Sequence, residues 1–313
     1  VKPITKKSRR KPAFTIIELL TIMSIIIIII GMLVPALNRV KRYARRVTQK
    51  NQFHTIDVGL DLYNAEWDGY PPSGALDPAG APYCGANKLA EAMVGQDLLG
   101  FHPASQFLRS GLDAFGNELY PRDPRLGPST VGEPQYMANL RSRKGPYLAL
   151  SSANANKLKH LYGAIPVAAG GLEGERYVIC DVYNLVDLRA DPTDPTDRTS
   201  GPAGMPVLYY RADVSKVLHD VADPEASIYN ILDNDGLVQL GMPFDPRYAH
   251  HIDTRGLPTS DKGISNPKIF YDRIVNEKIT TTIMPRRADS YILLSAGSDG
   301  DYGTADDVYN FGY

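Results

Sequence analysis

The sequence predicts an α+β protein: a long N-terminal helix packed on a small antiparallel sheet, with long loops and inserts. Three observations predict it. Residues 14–37 hold a single charge, Glu18, and helical periodicity continues beyond them to Tyr63. Short β-branched and aromatic runs, set off by Gly or Pro, recur after residue 176. The 24 Pro and 27 Gly among 313 residues interrupt regular structure throughout the rest.

The apolar stretch comes first. A helix over Phe14–Leu37 rises about 36 Å, enough to cross a hydrocarbon layer of about 30 Å. The run Ile25–Ile30 is poor helix former in water, but in lipid the backbone must satisfy its own hydrogen bonds and the helix wins. A cleaved signal peptide has an apolar core of only about 7–15 residues. A plain signal anchor stays open, but Glu18 and Pro35 fit it poorly. A carboxylate at membrane depth costs about 2.5–3.5 kcal/mol and calls for a partner. Pro35 removes a ladder bond within the run.

Beyond Pro35 the helix continues to about Asn64. Leu37, Val40, Ala44 and Val47 form one stripe, and Phe53, Ile56, Leu60 and Tyr63 a second, offset from it. The offset implies that the two stripes face different surroundings, the second of them the body. Gly59 weakens the helix and Asp68-Gly69-Tyr70-Pro71-Pro72 ends it. Residues 73–145 read as mostly loop, with a short helix over Asn87–Val94. Strands are expected at Tyr177–Val182, Val207–Tyr210, Ile228–Leu232 and Tyr291–Leu294. Asp191–Asp197 reads as a solvated loop, because Pro192 and Pro195 remove donors that a strand needs.

Charge is unevenly spread. The whole chain carries 34 Lys+Arg and 35 Asp+Glu, but residues 1–13 hold six basic side chains and no acid. Residues 14–50 hold six more beside Glu18, leaving 22 basic against 34 acidic residues in 51–313. Such a body repels nucleic acid and suits cations. The 43% apolar and 22% charged composition excludes general disorder. Two Cys exclude a disulfide-dense scaffold, while a pairing of Cys84 with Cys180 stays open. No GxSxG, GxxxxGK[ST] or HExxH occurs, and no nucleophile–base set emerges, so no enzymatic activity is expected. Asp233-Asn234-Asp235-Gly236 reads as an Asx turn, and His250-His251-Ile252-Asp253 as a surface loop without a complete zinc set.

Ser295-Ala-Gly-Ser-Asp299-Gly-Asp301-Tyr-Gly-Thr-Ala-Asp306-Asp307 follows the last expected strand. Clustered carboxylates repel unless they are solvated or bridged, and oxygen-only donors suit a hard cation such as Ca²⁺. The spacing is not that of an EF-hand, since the twelfth position from Asp299 is Asn310. Physics alone leaves an acidic turn and a metal site both open.

Two segments carry a resemblance. Lys11-Pro12-Ala13-Phe14-Thr15-Ile16-Ile17-Glu18-Leu19-Leu20 resembles the cleavage and methylation motif of type IV prepilins and type II secretion pseudopilins, with Ala13 where that family usually has Gly. The C-terminal loop resembles the calcium loop of major pseudopilins, and Leu60 through Pro72 resembles their helix exit. The resemblance implies a lollipop-shaped, membrane-assembled filament subunit with an enlarged body. It implies cleavage between Ala13 and Phe14, N-methylation of Phe14, and assembly through Glu18, which would pair with a neighbour's N-terminus, and Pro35. It implies Ca²⁺ on Asp299, Asp306 and Asp307, with Asp301 and the backbone of Ala296 as further candidates. The expected divisions are a basic leader at 1–13, a transmembrane and filament-core helix at 14–37, an amphipathic helix at 38–64, and a periplasmic or extracellular domain at 65–313. The implied partners are a prepilin peptidase, other copies of the chain, minor pseudopilins and an inner-membrane assembly platform. The implied location is the inner membrane, single pass, and then the filament. A surface type IV pilin is the alternative within the class. A membrane-anchored extracytoplasmic binding module is the alternative outside it.

Overall fold

The computed structural model describes residues 15–120, 133–163, 171–245, 247–260 and 263–312. In chain order the elements are α1 (Ile16–Trp67), α2 (Gly85–Val94), α3 (Glu133–Ser142), α4 (Leu150–Ala153), β1 (Ala155–Lys157) and α5 (Leu158–Tyr162). There follow β2 (Tyr177–Ile179), β3 (Val186–Leu188), β4 (Gly201–Ala203), β5 (Leu208–Arg211), a 3₁₀ turn (Ile231–Asn234), α6 (Asp235–Val238), α7 (Lys268–Ile274), β6 (Tyr291–Ser295) and β7 (Val308–Tyr309). The class is α+β, and all strand pairing within the named sheets is antiparallel.

The chain divides into two units between Arg45 and Arg46. In the first, every described residue is exposed, including the six isoleucines at 25–30, and α1 runs through Pro35 without ending. In the second, α1 buries Gln49, Gln52, Phe53, Ile56, Gly59, Leu60 and Tyr63, the expected second stripe. Each large apolar side chain in that stripe contributes about 1.5–3 kcal/mol by leaving water. Gly59 is a point of close approach. A Cβ there would meet the Met93 sulfur at 3.0 Å and the Tyr147 carbonyl at 3.1 Å, so only hydrogen lets α2 and the 147 segment reach the helix. Tyr63 and Trp67, tilted against each other, complete the contact with edge-on packing, Tyr63 on Phe101 and Tyr147 and Trp67 on Phe101.

The central sheet has the order β5-β6-β7. Strand β6 is buried on both faces, so Tyr-Ile-Leu-Leu-Ser shows no alternation, and its register sets Leu208 opposite Leu294 and Arg211 opposite Tyr291. Helix α2, wholly buried, packs on β5 and on β2 of the β1-β2 pair. A third pair, β3-β4, is short and mostly exposed.

Two expectations change. Ile228–Leu232 is not a strand. Its β-branched residues lead into the 3₁₀ turn, because the Asn230 side chain accepts the Leu232 N–H at 2.9 Å and draws the backbone into a local cap. The segment 73–145 contains α3 besides the expected short helix at α2. It is held by a buried, bidentate Arg143–Asp97 pair at 3.0 Å and by Glu91. The Glu91 carboxylate accepts from Tyr83 (2.6 Å), Gln96 (2.9 Å) and Ser105 (2.5 Å).

Candidate functional site

The start of α1 carries a reciprocal cap. Thr15 donates both its N–H (2.9 Å) and its hydroxyl (2.8 Å) to Glu18 Oε2, and the Glu18 N–H returns to Thr15 Oγ1 at 3.3 Å. Thr-Ile-Ile-Glu is the capping-box pattern, so Glu18 has a local role in starting the helix. Ala13 and Phe14, the expected cleavage and methylation positions, lie outside the described residues. Among the described residues, α1 is the one helix long and apolar enough to cross a membrane.

The loop after β6 folds back upon itself. Gly297 has φ +68°, and a Cβ there would collide with the Asp306 carbonyl, so the turn requires glycine. Asp306 is well supplied with donors: Oδ2 accepts from the Ser298 N–H (2.6 Å), the Ser298 hydroxyl (2.7 Å) and the Asp299 N–H (3.1 Å), while Oδ1 accepts from Thr304 (2.6 Å). Burial acts upward on its carboxyl, but the Thr304 and Ser298 donors outweigh it and the pKa falls below the usual carboxylate range. Asp299 is served by one N–H, that of Asp301 at 2.9 Å, and burial together with the neighbouring Asp306 pushes it up to about 6. Asp307 accepts one N–H, from Gly303 at 2.9 Å, and its Oδ1 is buried without a hydrogen-bond partner. Burial raises its carboxyl well above the ordinary value. The Gly303 amide and Arg273 oppose the rise, and the charges of Asp299 and Asp306 add to it.

Asp301 is turned elsewhere. Its carboxylate takes the His251 N–H (3.0 Å) and lies against His251 Nδ1 (2.8 Å), His250 Nδ1 (3.3 Å) and Ser260 Oγ (3.1 Å). Burial acts upward, but the His250 and His251 contacts bring its pKa below normal. This overturns the expected surface loop at His250–Asp253. His250 and Asp253 are fully buried: His250 Nδ1 meets Asp301 while its Nε2 has no hydrogen-bond partner, and the bidentate Arg255 holds Asp253. Asp233–Gly236 is likewise no simple Asx turn. Asp233 is buried and accepts the Ser73 hydroxyl, and Asn234 joins the Ala86 N–H to the Tyr209 carbonyl, both at 2.8 Å. Burial lifts the Asp233 carboxyl to about 6.

The two cysteines are free, buried thiols in one core cluster. Burial raises both, Cys84 to about 11, which leaves them protonated and unreactive. Asp181, adjacent in sequence to Cys180, is a buried carboxylate that the sequence did not single out. It accepts from Ser295 (2.8 Å) and from the Met205 and Tyr183 amides, yet burial holds it at about 7.

Among the described residues, no set of three or more His, Cys, Asp and Glu side chains is arranged to hold a metal ion by itself. The donor chemistry of the loop nonetheless fits a hard cation. Every side-chain donor is oxygen, one buried carboxylate oxygen lacks a partner, and Asp299 and Asp307 resist ionising without a counter-charge. Comparison of the chain with protein-family models, with characterised proteins and with solved structures finds no match.

Proposed function

We propose that this chain is a structural subunit of a type II secretion pseudopilus, anchored and assembled through α1. The observation that carries the reading is the contrast along one helix. Residues 16–37 expose an apolar surface with Glu18 as its one charge, whereas residues 46–67 bury a periodic stripe in an α+β body. A long apolar helix suits a membrane anchor, and the same surface suits helix-to-helix bundling once subunits leave the bilayer. Glu18 then has two roles: it caps the helix locally, and it offers a neighbour's α-ammonium a carboxylate. Pro35 gives the bundled helix a place to bend.

In this reading the Asp299–Asp307 loop holds Ca²⁺ through Asp299, Asp306 and Asp307, with Asp301 and the Ala296 carbonyl nearby in sequence. The ion would supply the positive charge that the buried carboxylates lack. The partners are a prepilin peptidase, further copies, minor pseudopilins and an inner-membrane platform, and no catalysis is assigned.

The test is N-terminal mass spectrometry of the protein from cells. The expected result is a chain beginning at a methylated Phe14, without the six basic residues of 1–13. An intact Val1–Ala13 segment on the mature protein would sink the reading. Filaments shed from the cell surface, with protein export intact on deletion, would move it to the surface pilins.

A further inference from the structure

Directly after the apolar stretch, Arg39, Lys41, Arg42 and Arg45 lie on α1, all exposed. No acidic residue occurs between Glu18 and Asp57. At about 1.5 Å per residue, Glu18 is about 31 Å before Arg39 and Asp57 about 18 Å beyond Arg45, so no carboxylate of the helix itself reaches these cations. At about 100° per residue the four cations fall in one arc of roughly 160°. The opposite arc is apolar and equally uncovered: Val40 is 62% exposed and Tyr43 72%.

A cationic arc and an apolar arc on one helix, starting where a membrane span ends, match the boundary between lipid headgroups and acyl chains. The long cationic side chains can lie along apolar surface while their charged heads reach phosphate. We propose that the Arg39–Arg45 face binds the phosphate headgroups of anionic phospholipid, with Val40 and Tyr43 at the edge of the acyl layer. The face commits to lipid because its cations sit at the depth where headgroup phosphates are found. The inference rests on α1 spanning a membrane, but not on the secretion reading.

The test uses the full chain reconstituted into phosphatidylcholine vesicles with trace spin-labelled phosphatidylglycerol or phosphatidylcholine. The lipid immobilised at the protein is read by electron paramagnetic resonance. A cation near a charged surface is worth about 1 kcal/mol, or about fivefold. We expect at least about a fivefold preference for phosphatidylglycerol at low salt, fading at ~1 M salt where the screening length is about 3 Å. The preference should vanish in the R39Q/K41Q/R42Q/R45Q variant and persist when the three arginines become lysine. Equal immobilisation of the two lipids at low salt, or a preference that survives the quadruple variant, would overturn the inference. So would displacement by inorganic phosphate at matched ionic strength, which assigns the face to a soluble anion. Loss of the preference on diluting the protein in the bilayer would give the face to a second copy. Failure to co-float with vesicles would overturn the membrane anchor itself, and this inference with it.

Discussion

Two loops of this protein are rich in aspartate, and they meet opposite electrostatic fates. In Asp191–Thr199 each aspartate is followed two residues later by a threonine, and its Oδ1 accepts both that N–H and that hydroxyl. The hydroxyl distances are 2.6, 2.7 and 2.6 Å for Asp191, Asp194 and Asp197. Lys159 and His160 hold the outer oxygens of Asp191 and Asp197. All three carboxyls are lowered, Asp191 to about 2 through Thr193 first. In the Asp299–Asp307 loop Asp306 and Asp301 have comparable partners and are lowered, whereas Asp299 and Asp307 are raised by burial. The number of aspartates therefore says little about the need for a cation. What decides is how many donors each carboxylate receives and how much water it loses.

The largest effect that sharpens this contrast is calcium. Ca²⁺ at a hundredfold excess over its Kd should stabilise the full chain by ~2.7 kcal/mol. For a body of this size that raises the melting temperature by roughly 5–10 °C. Magnesium should do much less, because it gives up its waters reluctantly. In Asp307→Asn the calcium increment should disappear, while the melting temperature in chelator holds or rises, since a buried carboxyl that resists ionising has gone. Thermal melts of both chains in detergent, with Ca²⁺, Mg²⁺ or chelator, check this. A wild-type melt indifferent to calcium would return the loop to an acidic turn.

The next effect is pH. Asp233 and Asp181 have folded values of about 6 and about 7, above the ordinary carboxylate range. Between that range and those values the folded chain binds protons that the unfolded chain has released. Their contribution to stability therefore rises as pH falls from about 8 to about 4, by about 3–4 kcal/mol per group. Asp191 acts oppositely: its depressed value contributes stability above the unfolded pKa, lost as pH falls through about 2. Urea midpoints in chelator should climb from neutral to mildly acidic pH and then drop in strong acid. A midpoint that falls steadily from pH 8 would contradict the assignment of these two groups.

The smallest effect should come from Thr196→Val, which removes one hydroxyl from an exposed turn. The melting temperature should change by no more than about 2 °C, as for surface substitutions within about 0.5 kcal/mol. The Asp194 carboxyl should move back toward its ordinary value, as followed by NMR titration. A large loss of stability would show that the Asp-Thr turns hold the fold rather than merely solvate a loop.

The features legible in the sequence were those encoded by local periodicity. Phe53, Ile56, Leu60 and Tyr63 declared the buried face of α1 because three- and four-residue steps need no knowledge of the partner. Strand β6 declared itself through a dense run of apolar residues. Ile228–Leu232 misled for the same reason: β-branched composition outweighed the Asn230 side chain, whose capping bond decides the local backbone. Strand β2 falls within the expected Tyr177–Val182, but β1, β3 and β4 have three residues each, too short to carry a pattern. In the candidate site, the grouping of Asp299, Asp306 and Asp307 was visible, but their unequal donor supply was not. His250 reads as a surface residue until Asp301, 51 positions later, is placed beside it. The Thr15–Glu18 cap was open to the sequence, since Thr-x-x-Glu ahead of an apolar run is its signature.

Lys50, on α1, reaches the other end of the body. Its ammonium donates to the carbonyls of Tyr309 (2.9 Å), Phe311 (3.1 Å) and Gly312 (2.6 Å), and on the same helix Asp57 accepts from Tyr291 and Asn310. Each of these bonds closes a loop of more than two hundred residues. Contacts of such separation form late, because chain entropy must be overcome before they return anything. During synthesis, the helix face that bears Lys50 and Asp57 must therefore wait for residues 291–312 to emerge. Until then the second stripe of α1 has no complete partner, so the growing chain offers apolar surface along its whole first helix and folding is completed at its far end.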